Sequence, residues 1–254
     1  MKLLPLCCLG LFAAQMALGA PPATKVVGKL TVAVDATYPP METEDLDGKL
    51  VGFDIDLARE IGRRLGLTTE FMVMGWDGIL SGLQTGRYDV IISAMNITDE
   101  RRKQVDFVEY ARMSQLFVAK PGVRIASEQD LAGKVVAVAA DTTSFEYLNA
   151  VVKRGVKISD VKAFHLMSDA FMAIKVGHAA VLVCDEPVAR HYVKTDGQHF
   201  AVAGRAMAPE PIGVAVRQGD KALFDAIKTA VQGMRKDGTM NNLQVTWFGT
   251  VVGD

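Results

Sequence analysis

"YDVIISAMNITDERR", residues 88–102, begins as a short apolar, β-branched run with the character of a buried strand. It then breaks into Ser93, Asn96 and Thr98 before a helix start that carries acids first and arginines after them. Core packing gives no reason for a buried strand to end in three polar residues with Arg101 just beyond. Such a strand end is read here as a place where backbone and side-chain polar groups are kept for a ligand.

Working outward, "GILSGLQTG" (78–86) forms a helix that runs through Gly86 into this strand, and "TEFMVM" (69–74) forms the strand before it. "GFDIDLAREIGRRLG" (52–66) sets Phe53, Leu57, Ile61 and Leu65 four residues apart. Acids come early, arginines late and Gly66 at the stop, which signs an amphipathic helix at both ends. "KLTVAV" (29–34) is a strand, and "DATYPP" (35–40) a loop enforced by two prolines. The pattern recurs downstream. "GKVVAVAADTTS" (133–144) parallels "GKLTVAVDATY", and "DAFMAIKVGH" (169–178) runs through a glycine into "AAVLVCDE" (179–186). "DKALFDAIKTAVQGMRKDG" (220–238) is a further helix, with a second short one ending at "TWFG". Strands alternating with helices in both halves predict two α/β lobes with mainly parallel sheets. In such sheets ligands bind beyond the carboxyl ends of the strands, where all these polar loops fall.

The 254 residues are half hydrophobic with a formal net charge of -1, which suits a well-packed globular protein and gives no basic stripe for nucleic acid. Residues 1–19 differ. Lys2, the apolar "LLPLCCLGLFAA" and Ala17-Leu18-Gly19 read as a signal peptide with its cleavage site. The apolar stretch is shorter than the ~20 residues that span a bilayer, so a membrane anchor is disfavoured. Cys7 and Cys8 sit too early for a lipidated mature N-terminus. Once they are removed, Cys184 stands alone and forms no internal disulfide. The mature chain is expected in an exported compartment.

The polar strand ends hold Asp35, Tyr38, Trp76, Ser93 to Asn96 with Arg101, Asp141 to Thr143, and Asp185. A planar guanidinium suits a carboxylate, which it grips by two parallel hydrogen bonds. Asp185 suits an ammonium group, and the two aromatic rings supply flat walls. A carboxylate clamp with an ammonium acceptor describes an α-amino acid. Each residue also has a plainer reading. Arg101 could be a solvated helix charge, Asp35 and Asp185 turn or helix caps, and Trp76 core. Cys184 reads as packing. The four histidines form no pair at metal-ligand spacing, and Ser93 has no base or glycine elbow, so no metal, cofactor or nucleophile is expected.

"VAVDATYPPME", "DGKLVGFDIDLAREIGRRLG", "GWDGILSGLQTGRYDVIISAMNITDERRKQVDF", "DTTSFEYL" and "DEPVARHYV", in this order and spacing, resemble the polar amino-acid family of periplasmic solute-binding proteins that feed ABC importers. The resemblance covers essentially the whole mature chain and implies the type II periplasmic binding fold: two α/β lobes, joined by two crossing strands, that close on ligand. The crossings fall at "SQLFVAK" and "PIGVAV". This gives lobe I as 26–113 plus 209–254 and lobe II as 114–208.

The resemblance further implies that Arg101 grips the ligand carboxylate, helped by backbone N–H groups at Asn96 and Thr143. Asp185, the Ala94 carbonyl and the Asn96 side chain would hold the ammonium. Tyr38 and Trp76 would flank the ligand side chain, and Asp35 would meet its far end, with Ser93 in the same loop. Three positions depart from the family pattern: Asn96 stands where Ser or Thr is common, Asp141 opens a loop that usually reads Gly-Thr-Thr, and Met41 replaces Phe. Asp35 and Asp141 tilt the expected ligand toward arginine, lysine, ornithine or histidine, with glutamine as the neutral alternative. The expected partner is an inner-membrane ABC permease, and the protein a monomer. A rival class on the same fold is a dehydratase of prephenate or arogenate, with Glu210 as general acid. A third class is a receptor ligand-binding module, although no membrane-spanning or signalling segment accompanies this chain.

Overall fold

The computed structural model describes residues 22–251; the predicted signal peptide, residues 1–19, lies outside them. The chain enters through β1 (Lys29–Val34) and a small antiparallel hairpin sheet of β2 (Thr37–Tyr38), β3 (Glu42–Glu44) and β4 (Leu50–Val51). There follow α1 (Phe53–Leu65), β5 (Thr68–Val73), α2 (Trp76–Gln84), β6 (Val90–Ile91), the single turn α3 (Asp99–Arg102) and β7 (Val105–Met113). The second lobe holds β8 (Gln115–Ala119), β9 (Val135–Ala139), α4 (Thr143–Lys153), β10 (Asp160–Phe164), α5 (Met167–Lys175), β11 (Val181–Asp185), α6 (Glu186–Thr195) and β12 (Ala201–Val202). The chain closes with β13 (Glu210–Arg217), α7 (Lys221–Lys236) and α8 (Thr239–Phe248).

Two five-stranded sheets result, ordered β5-β1-β6-β13-β7 and β10-β9-β11-β8-β12. In each, one strand opposes the other four: β13 runs antiparallel to β6 and β7, and β8 to β11 and β12. The sheets are therefore mainly parallel in direction, as expected, and mixed in pairing. The reversed strand in each is the one that follows a crossing. β7 leaves the first sheet at Met113 and, past Ser114, continues as β8 of the second. The return runs from β12 to β13, whose Glu210 pairs back with Met113.

The deciding strand is covered on both faces. Val90 and Ile92 pack with Leu57 and Ile61 of α1 and Ile227 of α7, while Ile91 packs with Ile79 and Leu83 of α2. That explains a continuous apolar run without alternation. In the second sheet Val136 and Val138 face Leu148 and Val151 of α4, and Ala137 faces Phe171 and Ile174 of α5. The termini of α1 follow their sequence signals. Gly66 adopts φ 69° and its N–H bonds the Arg63 carbonyl. Gly52, at φ 141°, lies where a Cβ would fall 2.1 Å from the Met41 carbonyl oxygen, so only glycine lets the hairpin approach the helix start. Met41 is fully buried in that core.

Candidate functional site

The carboxyl ends of β1 and β6 face those of β9 and β11 across a cleft of about 560 Å³. Eight of the nine residues expected at a site line it: Asp35, Tyr38, Trp76, Ser93, Ala94 and Asn96 from the first lobe, Thr143 and Asp185 from the second. Arg101 does not. Its guanidinium donates to the Asn96 carbonyl at 3.0 Å and, across the cleft, to the Asp141 carbonyl at 3.2 Å. It also lies 5.5 Å from the Trp76 ring centroid, a cation–π distance. Trp76 Nε1 donates to the same Asp141 carbonyl at 3.0 Å, so guanidinium and indole together latch the first lobe to one oxygen of the second. Burial pulls the Arg101 guanidinium below its ordinary pKa, opposed by Glu146, Asp185, Glu210 and Asp141 around it.

Asp185 is the N-cap of α6, but its side chain makes no capping bond, so the carboxylate faces the cleft. Tyr38 Oη donates to its Oδ2 at 2.8 Å, while Oδ1 is buried with no donor among the described residues. Burial, helped by Glu210, pushes the Asp185 carboxyl up to about 7, against the Tyr38 hydrogen bond and Arg101. Asp35 is also raised by burial, and its Oδ1 accepts from the Thr37 hydroxyl at 2.7 Å. Asn96 Nδ2 donates to Glu210 Oε2 at 3.2 Å. Cys184 is fully buried in the core behind Asp185, consistent with packing.

Five further groups shape the cleft, and of these only Thr142 lies in a stretch singled out from sequence. Thr142 caps α4, its hydroxyl accepting from Phe145 N at 3.3 Å, so the first turn of this 11-residue helix opens on the cavity. A helix start of this kind favours an anion. Gln115, just past the crossing, donates to Thr143 Oγ1 at 2.8 Å and fixes that turn. His165, just past β10, and Met167, the first residue of α5, line the second lobe's wall, and Glu42 lines the first lobe's floor. A hint for Thr142 lay in the spacing of "TTSF" before the helix; His165, Met167 and Glu42 are brought in by topology alone.

The two non-glycine residues with positive φ among those described are Ala94 at 45° and Asp141 at 57°, one on each lobe. Both lie just beyond strands, Ala94 after β6 and Asp141 after β9. Aspartate tolerates this region better than most residues, which explains how it stands at position 141. Because Asp141 is exposed, substituting it tests the backbone and not packing. Asp141→Val is expected to lower stability by about 1–3 kcal/mol in urea denaturation, and Asp141→Gly to lose far less. Equal losses for both would mean the conformation is unstrained.

Residues 30–250 match the bacterial extracellular solute-binding proteins, family 3. The L-cystine-binding protein TcyJ of Escherichia coli (strain K12) is 33% identical over 228 residues, which span 89% of this chain and 84% of that protein. A solved ancestral arginine-binding protein bound to arginine superposes with a TM-score of 0.82 at 43% identity, covering 87% of this chain and 99% of its own. An ancestral amino acid-binding protein, a precursor of cyclohexadienyl dehydratase, superposes with a TM-score of 0.80 at 36% identity, covering 87% and 96%.

Proposed function

This chain belongs to the bacterial extracellular solute-binding proteins of family 3, and we propose that it binds an L-amino acid with a basic side chain reversibly in the interlobe cleft, without turnover. The ligand class is arginine, lysine, ornithine or histidine, with glutamine as the neutral member. The observation that carries this reading is the buried oxygen of Asp185, without a donor among the described residues, in a cavity that Asp35 and Glu42 also line and no described lysine or arginine does. An uncompensated buried carboxylate is costly and an ammonium group removes that cost. The mouth of the cleft continues past Asp35 to Asp77 and Asp141, so the path of a long side chain is acidic as well. The helix start of α4 and Arg101 would take the ligand carboxylate, with Arg101 giving up a carbonyl contact to do so.

The lobe limits proposed are 26–113 with 209–254, and 114–208; the membership of the two sheets supports them. The protein would be exported by residues 1–19, act as a monomer in the periplasm and deliver its ligand to an ABC permease. No helix among the described residues is long and apolar enough to cross a membrane.

Thermal-shift screening of the standard amino acids with ornithine, citrulline and cystine tests the proposal. At a hundredfold excess over Kd a ligand that binds only the folded state adds about 2.7 kcal/mol. That raises the melting temperature of a chain this size by about 5–10 °C. Basic amino acids are expected to give the largest shifts and glutamate the smallest. No shift with any of them defeats the reading. Release of phenylpyruvate from prephenate, or of phenylalanine from arogenate, replaces it with the dehydratase, for which Glu210 lies beside Asn96.

A further inference from the structure

Glu42, on β3, and Asp54, in the first turn of α1, lie directly beneath the first lobe's strand ends and are 1% and 0% exposed. Glu42 Oε1 accepts from Ser93 Oγ at 2.7 Å, and Ser93 Oγ in turn accepts from Asp35 N at 2.9 Å. Asp54 Oδ2 accepts from Ala94 N at 2.5 Å and from Tyr110 Oη at 3.0 Å. The remaining oxygens, Glu42 Oε2 and Asp54 Oδ1, are buried with no donor among the described residues. The charge of Asp54 bears directly on Glu42, and among the described residues no ion pair reaches either. Two facing carboxylates without a cation repel; one proton between them satisfies both orphan oxygens.

We propose that Glu42 and Asp54 share one proton, carried on Glu42, and that this pair is the positioning element which holds the ends of β1 and β6 in ligand-binding geometry. With the proton in place an unbroken chain runs from Asp35 N–H through Ser93 Oγ–H and Glu42 to Asp54, and ends on the Ala94 N–H. It thereby fixes Ala94 in its positive-φ conformation and ties it to Asp35 on the neighbouring strand. The titratable groups facing the pair are Asp35 at the end of β1 and Tyr110 on β7, both acidic, with Ser93 the neutral neighbour from β6. Burial first, and then the charge of Asp54, push the Glu42 carboxyl well above its ordinary value, and burial raises Asp54 to about 6. The positioning role rests on the amino-acid-binding reading; the shared proton does not.

Two substitutions of similar volume separate these claims. Glu42→Gln offers an amide donor to Asp54 and a carbonyl to Ser93, whereas Glu42→Met offers neither. A carboxyl whose pKa is raised by folding stabilises fully below its unfolded pKa, and that contribution is lost as pH rises toward the folded value. Measured by urea denaturation, the folding constant of the wild type should therefore fall relative to that of Glu42→Gln between about pH 5 and 7, by up to tenfold per pH unit. Parallel stability curves for the two overturn the shared proton. In calorimetric titration with arginine at pH 7.5, Glu42→Gln should bind at least about tenfold tighter than Glu42→Met, the gap a lost hydrogen-bond chain of about 1.4 kcal/mol creates. Equal affinities overturn the positioning role. A wild type that binds no amino acid overturns the proposed function and the positioning role with it, while the stability curves still decide the proton.

Discussion

Arginine binding by the Arg101→Ala protein is expected to be weaker by about 30-fold to several thousandfold, a loss of about 2–5 kcal/mol. The side chain is half-buried, desolvated and surrounded by acids, so its charge is poorly screened and its hydrogen bonds are worth more than those of a surface arginine. Removing it strands a ligand carboxylate in a cleft with no lysine or arginine on its walls. It also removes the donor that joins Asn96 of one lobe to Asp141 of the other, so closure loses part of its latch. The melting temperature without ligand should stay near wild type, because α3 has no buried residue and Arg101 adds little to the core. Arg102→Ala is the control. Arg102 is exposed, about 100° further round the turn, and its loss should change affinity less than about threefold. Calorimetric titration of both variants reads the difference; equal small losses would make Arg101 an ordinary helix charge.

Asp185→Asn should be comparably damaging, at about 2–5 kcal/mol, because it removes the carboxylate that an ammonium group would neutralise while keeping an acceptor for Tyr38. The pH dependence identifies the cause. With its carboxyl at about 7, Asp185 is protonated in much of the protein below neutrality and must lose that proton before it can hold an ammonium. Wild-type affinity is therefore expected to fall as pH drops below about 7, by up to tenfold per unit, and the residual affinity of Asp185→Asn to lack that slope. Stability moves the opposite way. A carboxyl raised by folding stabilises below its unfolded pKa and loses that contribution as pH rises through about 7, so Asp185→Asn should be more stable than wild type at pH 8. Affinity that is flat with pH in the wild type would show that Asp185 does not meet the ammonium.

Most of the architecture is legible in local pattern. The four-residue spacing of Phe53, Leu57 and Ile61 and the stop at Gly66 place α1 to within a residue at each end. The run at 90–92 defines a strand sandwiched between helices. Helix periodicity, caps and buried strands are decided by neighbours in the chain, and that is why they can be read there. Eight of the nine expected site residues line one cleft for a related reason: the parallel strands of an α/β lobe all point their carboxyl ends to the same edge.

What the chain could not show locally depends on which distant elements meet. Asp185 could be read as a helix cap, and it does occupy the cap position. Only the approach of Tyr38, 147 residues away, shows its carboxylate turned to the cleft instead. Arg101 donates to the carbonyls of Asn96 and Asp141, acceptors from two separate stretches of the chain that sequence alone does not place beside it. Glu42 and Asp54 look in sequence like two solvated acids of a turn and a helix start; folding buries both and sets them face to face. The sequence by itself determined the helices, the strands and the edge at which a ligand would sit, since those follow from periodicity and handedness along the chain. Tertiary structure alone decided which acids are buried, which share a proton and which face the cleft, because desolvation and charge pairing are set by residues brought together from distant parts of the chain.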